Sequence, residues 1–356
     1  MTVPATVAAM ASEEKARQGR ALDALEARLI TAWSDAWEQL EPEFEHAITE
    51  ILATRATGDR VRPSTMARSR RLAQALEQAR ESVTSILTEH GARVEDQLPG
   101  MLDAALSGHR AMVAAQLPPA GTPGLTVAFD QVSRDALDWI VTRTLDRVHA
   151  LSIPLPAEVE VALRRALVRG VAVGDNPVTV ARDLIARTGT AFNGGLPRAV
   201  TIARTEMLDA TRAAEQAWEE TNPEVMAGWT WVAALDSKCC AACLAMHGTE
   251  HPPEESGPDG HSRCRCARVP RTRSWEDLGI RGLRDTRPVI QTGEEWLGDQ
   301  DDTTVTQILG PTRADLWRTG RADLSDMVTV RDNPDWRRSH TLTPIRDLPV
   351  KEATAV

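Results

Sequence analysis

A chain of 356 residues, 42% hydrophobic and 26% charged, can bury a real core and divide into two or three units. Its 51 acidic residues outnumber 41 Lys and Arg, and the net charge of -10 argues against a protein that coats nucleic acid along its whole surface. Mean hydropathy is -0.30 and no apolar run approaches the ~20 residues of a membrane-spanning helix. The N-terminus lacks the basic and apolar regions of a signal peptide, so neither a leader nor a span is expected.

From about residue 11 to 53, apolar positions fall at Leu22, Leu25, Leu29, Trp33, Trp37, Leu40, Phe44, Ile48 and Ile51. Steps of three and four make one continuous helical stripe, which Pro42 is expected to kink or divide. The opposite face is acidic, with Glu38, Glu41, Glu43, Glu45 and Glu50. Such a stripe reads as core or coiled-coil seam, or else as a face that docks on a larger partner. Ser64 is placed to cap a second helix carrying Leu72, Leu76, Val83 and Leu87, and a third helical run covers 102–116. Residues 117–124, rich in Pro and Gly, read as a linker and the first domain boundary.

Three more helical runs follow, over 129–151, 156–169 and from Pro177 onward, and Gly194, Gly195 and Pro197 break the chain before a long helix over 198–221. Residues 228–235 alternate Trp229 and Trp231 with smaller neighbours and read as a short strand. In the last eighty residues two short helices are expected around Gly310 and Pro311, then a short element at 323–330 and a polar arm.

All five cysteines lie in one stretch, at 239, 240, 243, 264 and 266, so the rest of the chain reads as built for a reducing compartment. Cys240-x2-Cys243, then His261-x2-Cys264 across a loop rich in Gly and Pro, has the spacing of a four-ligand structural zinc site. Each two-residue gap lets one tight turn aim two side chains at a point. Cys266 is the rival fourth ligand and Cys239 a further alternative. Buried thiols or disulfides are the plain readings. After the loop come Arg263, Arg265, Arg268, Arg271 and Arg273 with no acid among them: a patch for DNA phosphates or a partner, or a set of internal salt bridges.

Taken in order, Leu163, Gly170 and Gly174–Pro177, then Ile202 through Glu206 on a helix, then Trp229, Asp236, Cys240, Cys243 and Gly248, then His261, Cys264, Arg265 and Cys266, resemble the phage head morphogenesis family. This is the family of Mu F-like and SPP1-type minor head proteins. The resemblance covers roughly 129–270. The tail, from Trp296 through Gly310 to Asp326, is similar to the C-terminal extension of actinobacteriophage members.

The fold so implied is mainly α (α+β overall), with a helical N-terminal region and a helical core carrying a small β-containing zinc-knuckle lobe. Three regions are expected: a variable helical N-terminal region (1–120), a Mu F-like domain (121–273) with the knuckle at 228–270, and a helical extension and arm (274–356). The resemblance implies a minor capsid protein inside the virion head, assembled in the host cytoplasm, in several copies. Its partners would be the portal protein, the major capsid or scaffolding protein, and the phage genomic DNA. Arg204, Glu206 and Asp236 are motif positions. Arg204 and Glu206 lie two apart on a helix and point away from each other, so one is expected to reach across to the strand or the zinc lobe.

No catalytic residue stands out: G-x-S-x-G, H-E-x-x-H and P-loop patterns are all absent from the sequence. Two rivals remain, a zinc nuclease using His247 and His251, and a zinc-ribbon DNA-binding protein.

Overall fold

The N-terminal apolar stripe winds into one helix, α1 (Pro4–Ala53), in a computed structural model that describes residues 4–53, 63–118, 128–170, 177–236, 239–281, 283, 285, 290–333 and 337–351. Pro42 does not divide it. α3 (Arg70–Ala114) likewise runs through Pro99, so the two helical runs expected at 64–87 and 102–116 are largely one helix. Both prolines sit on the exposed face. There the carbonyl left without its amide partner turns to water, and burial along the opposite stripe outweighs the ~3 kcal/mol cost of each.

The helix before α3 is a single short one, α2 (Pro63–Arg68), and the observed cap is Ser69, whose Oγ accepts from Leu72 N at 3.2 Å. A serine that takes up the third amide of α3 is worth about 1 kcal/mol. Ser69→Ala should therefore lower the stability read by urea denaturation by about that amount. Residues 119–124 of the linker expected at 117–124, and the motif residues 174–176, lie outside the described residues.

α4 (Arg134–Ser152), α5 (Leu155–Gly170), α6 (Pro177–Asn193) and α7 (Leu196–Thr221) follow within a few residues of the boundaries read from the pattern. The chain forms two compact units from non-contiguous segments. One contains Arg20–Leu98 and Thr142–Met207 and is helical. Its core joins Leu29, Trp33, Leu40, Phe44 and Ile48 of α1 to Leu72, Leu76 and Val83 of α3. Val159 and Leu163 of α5 and Phe192 of α6 complete it. Trp33 is fully buried, donates from Nε1 to the Phe192 carbonyl at 3.2 Å, and lies 5.5 Å from the Phe192 ring. At the α6–α7 turn a Cβ on Gly195 would come within 2.7 Å of Val159 and 3.0 Å of Trp33, so the chain passes there only as glycine.

The other unit contains Met1–Gly19, Pro99–Val141 and Leu208–Val356, and all the strands among the described residues are in it. β1 (Met226–Val232) is central, with β2 (Glu250–His251) and β3 (Ala267–Thr272) antiparallel on either side. The strand expected at 228–235 is this one, set two residues earlier. α8 (Ala241–Met246), α9 (Gly293–Gly298), α10 (Asp302–Leu309) and α11 (Pro311–Arg318) pack beside it, followed by a hairpin of β4 (Val328–Arg331) and β5 (Ser339–Leu342). Gly310, at φ 75°, ends α10, and Pro311 starts α11, as the sequence predicts.

The core of this unit joins Trp229, Trp231 and four of the cysteines to Leu297, Val305, Ile308, Leu309, Leu324, Met327 and Leu348. The last of these lies inside the stretch read as an arm. Overall the fold is mainly α with small sheets, and a cysteine-bearing lobe beside β1.

Candidate metal centre

The first cysteine pair is set by the start of α8. Cys240 is its N-cap, and the Cys240 Sγ accepts from the Cys243 amide at 3.3 Å. A cap residue and the residue three further on share one side of a helix start, so C-x2-C aims both sulfurs the same way. The second pair is set by a turn in which Cys264 N donates to the His261 carbonyl at 3.1 Å. Arg263 in that turn takes a left-handed φ of 61°. His261 Nδ1 lies 2.7 Å from the Ser262 carbonyl and donates to it, which leaves Nε2 as the nitrogen a metal would take.

Five donors converge, in two overlapping sets of three: Cys240, Cys243 and His261, and Cys243, Cys264 and Cys266. Within each set the donor atoms lie within 4.8 Å of one another. Cys243 belongs to both sets. Its Sγ lies 3.7 Å from that of Cys264, and all five cysteines are free thiols. A tetrahedral ion with metal–sulfur bonds of ~2.3 Å has sulfur–sulfur edges of about 3.8 Å, so this pair already has the spacing of two ligands. Cys239, buried nearby, belongs to neither set among the described residues, and burial pushes its thiol up to about 12.

The donors also share protons as ligands do. Hydrogen bonding from Cys243 draws the Cys240 thiol down to about 5, and Cys243 likewise holds Cys264 well below the usual thiol range. Cys243 itself is pushed up, first by Cys240 and then by Cys264. His261 is raised to about 9 by its bond with Cys240. A cation would replace these shared protons, so the donor set fits a soft divalent ion. This cluster could hold a metal ion.

Gly260 gives the cluster its closeness. A Cβ there would overlap Cys264 Sγ and come within 2.8 Å of Cys264 Cβ. Gly260→Ala is expected to push the second pair away and cost about 1–3 kcal/mol, measurable as a lower melting temperature with reduced metal content.

Sequence reading missed Arg212 of α7, whose Nη2 donates to the carbonyls of Cys264 (3.0 Å) and Cys266 (3.1 Å) while Nη1 donates to Asp209 at 2.8 Å. It is buried and fixes the backbone of the second cysteine pair. The signal was present: Leu208, Arg212, Glu215 and Glu219 follow one another at helical spacing, placing charges on the buried stripe of α7.

The five arginines after the loop do not make one surface. Arg265 holds Asp236 through two bonds of 2.7 Å, and Arg271 lies 3.5 Å from Glu250. Arg273 donates to the Pro223 carbonyl at 3.0 Å. Arg268 is wholly buried against Glu219. Arg263 occupies the left-handed turn position. Arg204 reaches Asp23 and Glu26 of α1, and Glu206 reaches Arg147 of α4, so the cross-element contacts are made to helices. His247 accepts from Ala233 N through Nδ1 at 3.0 Å. His251 stacks 4.2 Å from Trp229 and contacts Thr249 and Glu255. Neither belongs to the cysteine sets.

This defines a class: a helical protein whose small β lobe is clasped by a cysteine–histidine cluster. Residues 161–269 match a family model described as phage Mu protein F like protein, which places this segment in the Mu F-like head morphogenesis family. The matched segment spans α5, α6, α7 and the cysteine-bearing lobe through β3. No curated protein and no solved structure matches the chain. No described helix is long and apolar enough to cross a membrane.

Proposed function

We propose that this phage head morphogenesis protein is a minor capsid protein of a tailed bacteriophage. It acts structurally in head assembly near the portal and remains inside the head with the packaged genome. The observation that carries the reading is that the family segment ends on the cysteine–histidine cluster, whose donors serve packing. His247 and His251, the histidines of the nuclease reading, are engaged in hydrogen bonds and belong to neither donor set.

In this reading zinc is bound by Cys240, Cys243, His261 and Cys264, with Cys266 as the competing fourth ligand, and it supplies folding energy to the lobe. The acidic face of α1 is the surface offered to the portal or to scaffolding and major capsid protein. Arg263 and Arg273 are the arginines offered to DNA phosphates.

Mass spectrometry of purified procapsids and virions, with elemental analysis of the isolated protein, tests both parts. The chain should be present in both particles and carry about one zinc per chain. Cosedimentation with portal rings should survive high salt better than any binding to DNA does. Absence from both particles, or a soluble monomer whose one partner is DNA, would overturn the reading.

A further inference from the structure

A cavity of about 480 Å³ lies in the strand-bearing unit beside the end of β1. The first turns of α1 form one wall, and Val232, Ala267 and Ile290 form much of the rest. Its volume falls in the range of small-ligand sites. In a chain with a net charge of -10, no Asp or Glu is among the described residues that line it. Its charged lining residues are both cations, Lys15 and Arg265.

One buried imidazole is among the lining side chains. His247 is 5% exposed and lines the cavity, and its Nδ1 accepts from Ala233 N. A neutral imidazole that accepts at Nδ1 carries its proton on Nε2, so the ring offers a donor. Burial holds His247 down at about 4, so the ring is neutral at pH 7. Burial lowers Lys15 to about 8 against the opposing charge of the buried Glu215, and its Nζ donates to Gln18 at 3.0 Å with two further donors left.

We propose that this cavity is a binding site for an apolar carboxylate, its acid group taken by His247 Nε2–H and the Lys15 ammonium and its hydrocarbon part by the wall of Val232, Ala267 and Ile290. A lining that joins cationic and imidazole donors to aliphatic side chains matches a ligand with an acceptor head and an apolar stem. Arg265, already neutralised by Asp236, borders the acid end. The chemistry is shared by a free aliphatic acid and by the terminal carboxylate of a polypeptide with an apolar last residue.

The test uses the full-length protein with its metal content unchanged, and decanoate as the probe. Calorimetry should show saturable binding, and the His247 Nε2–H signal in nitrogen-edited NMR should shift with it. Lys15→Met, which keeps the stem and removes the charge, should weaken binding about tenfold. Ala8→Trp, which fills the cavity from α1 and leaves Lys15 and His247 unchanged, should abolish it while the melting temperature holds. Decanol should bind about tenfold more weakly than decanoate.

A short peptide ending in leucine, compared with its carboxamide, identifies the source. Tighter binding than decanoate by the free acid assigns the ligand to a polypeptide terminus, and the reverse assigns it to a small acid. No saturable binding of either acid up to about 1 mM overturns the proposal. So does undiminished binding in Ala8→Trp, or equal binding of decanol.

Discussion

Cys243→Ala is expected to unfold the cysteine-bearing unit and leave the helical unit standing. Cys243 is the one donor common to both sets of three, so its loss leaves two donors in each. Structural zinc sites contribute an apparent ~10–16 kcal/mol at pH 7, which equals or exceeds the ~5–15 kcal/mol stability of a whole domain. The cysteines share one core with Trp229 and Trp231 and with Leu297, Ile308, Met327 and Leu348, so the loss should extend to the C-terminal segment. The core running from Leu29 to Ile202 contains no cysteine and should be spared.

Hydrogen exchange should show protection lost over 226–272 and 293–348 and retained over 20–53 and 70–98, with zinc content falling to zero. Cys239→Ala is the control. That thiol lies outside both sets, so its removal should cost only about 1 kcal/mol of packing and no metal. A Cys243→Ala protein that keeps both its proteolysis pattern and its metal would end the structural-metal reading.

Patterns local to one element were legible. The stripe from Leu22 to Ile51 gave α1, and Gly310 with Pro311 gave the α10–α11 break. C-x2-C marked a pair that one helix start aims together, whereas the H-x2-C pair divides between the two sets, His261 with Cys240 and Cys243, and Cys264 with Cys243 and Cys266. What the pattern could not give was partnership across long separations. Cys266 stands within 4.8 Å of both Cys243 and Cys264, a closeness that spacing along the chain left as one of two alternatives. Ser64 resembled a cap as well as Ser69 did, and only the actual break at residue 69 decides between them. The acidic composition hid the cavity beside Lys15, whose walls come from segments more than two hundred residues apart. The five arginines looked alike in sequence. Their environments differ because Asp236, Glu250 and Glu219 lie at different depths in the unit.

Arg268→Met is expected to cost about 3–5 kcal/mol, more than any change to an exposed arginine of the same run. Arg268 and Glu219 are both fully buried, joined by Nε–Oε1 and Nη2–Oε2 bonds of 3.0 and 2.7 Å. The remaining donors go to the carbonyls of Pro253 (2.8 Å), Glu255 (2.8 Å) and Gly257 (3.3 Å), and the guanidinium lies 4.5 Å from the Trp229 ring. Methionine fills much of the space but leaves Glu219 charged and buried, with His109 Nε2 at 3.2 Å as its remaining close neighbour. It also strips the Pro253 and Gly257 carbonyls of the Arg268 donor and leaves the Glu255 carbonyl to Trp229 Nε1, in the loop that leads to Gly260 and His261. Lysine should rescue little, because a single ammonium cannot match a carboxylate and three carbonyls as the planar fork does.

Glu219→Leu in the Arg268→Met background should restore part of the loss, since the stranded charge goes while the orphaned carbonyls remain. A double-mutant cycle by urea denaturation should therefore give a coupling of about 1–3 kcal/mol. An Arg268→Met protein within about 0.5 kcal/mol of the parent would mean the loop finds other donors and the buried pair is not what braces it. If the expected loss is seen, metal affinity should fall with it, because the loop held by Arg268 carries His261 to the cysteines.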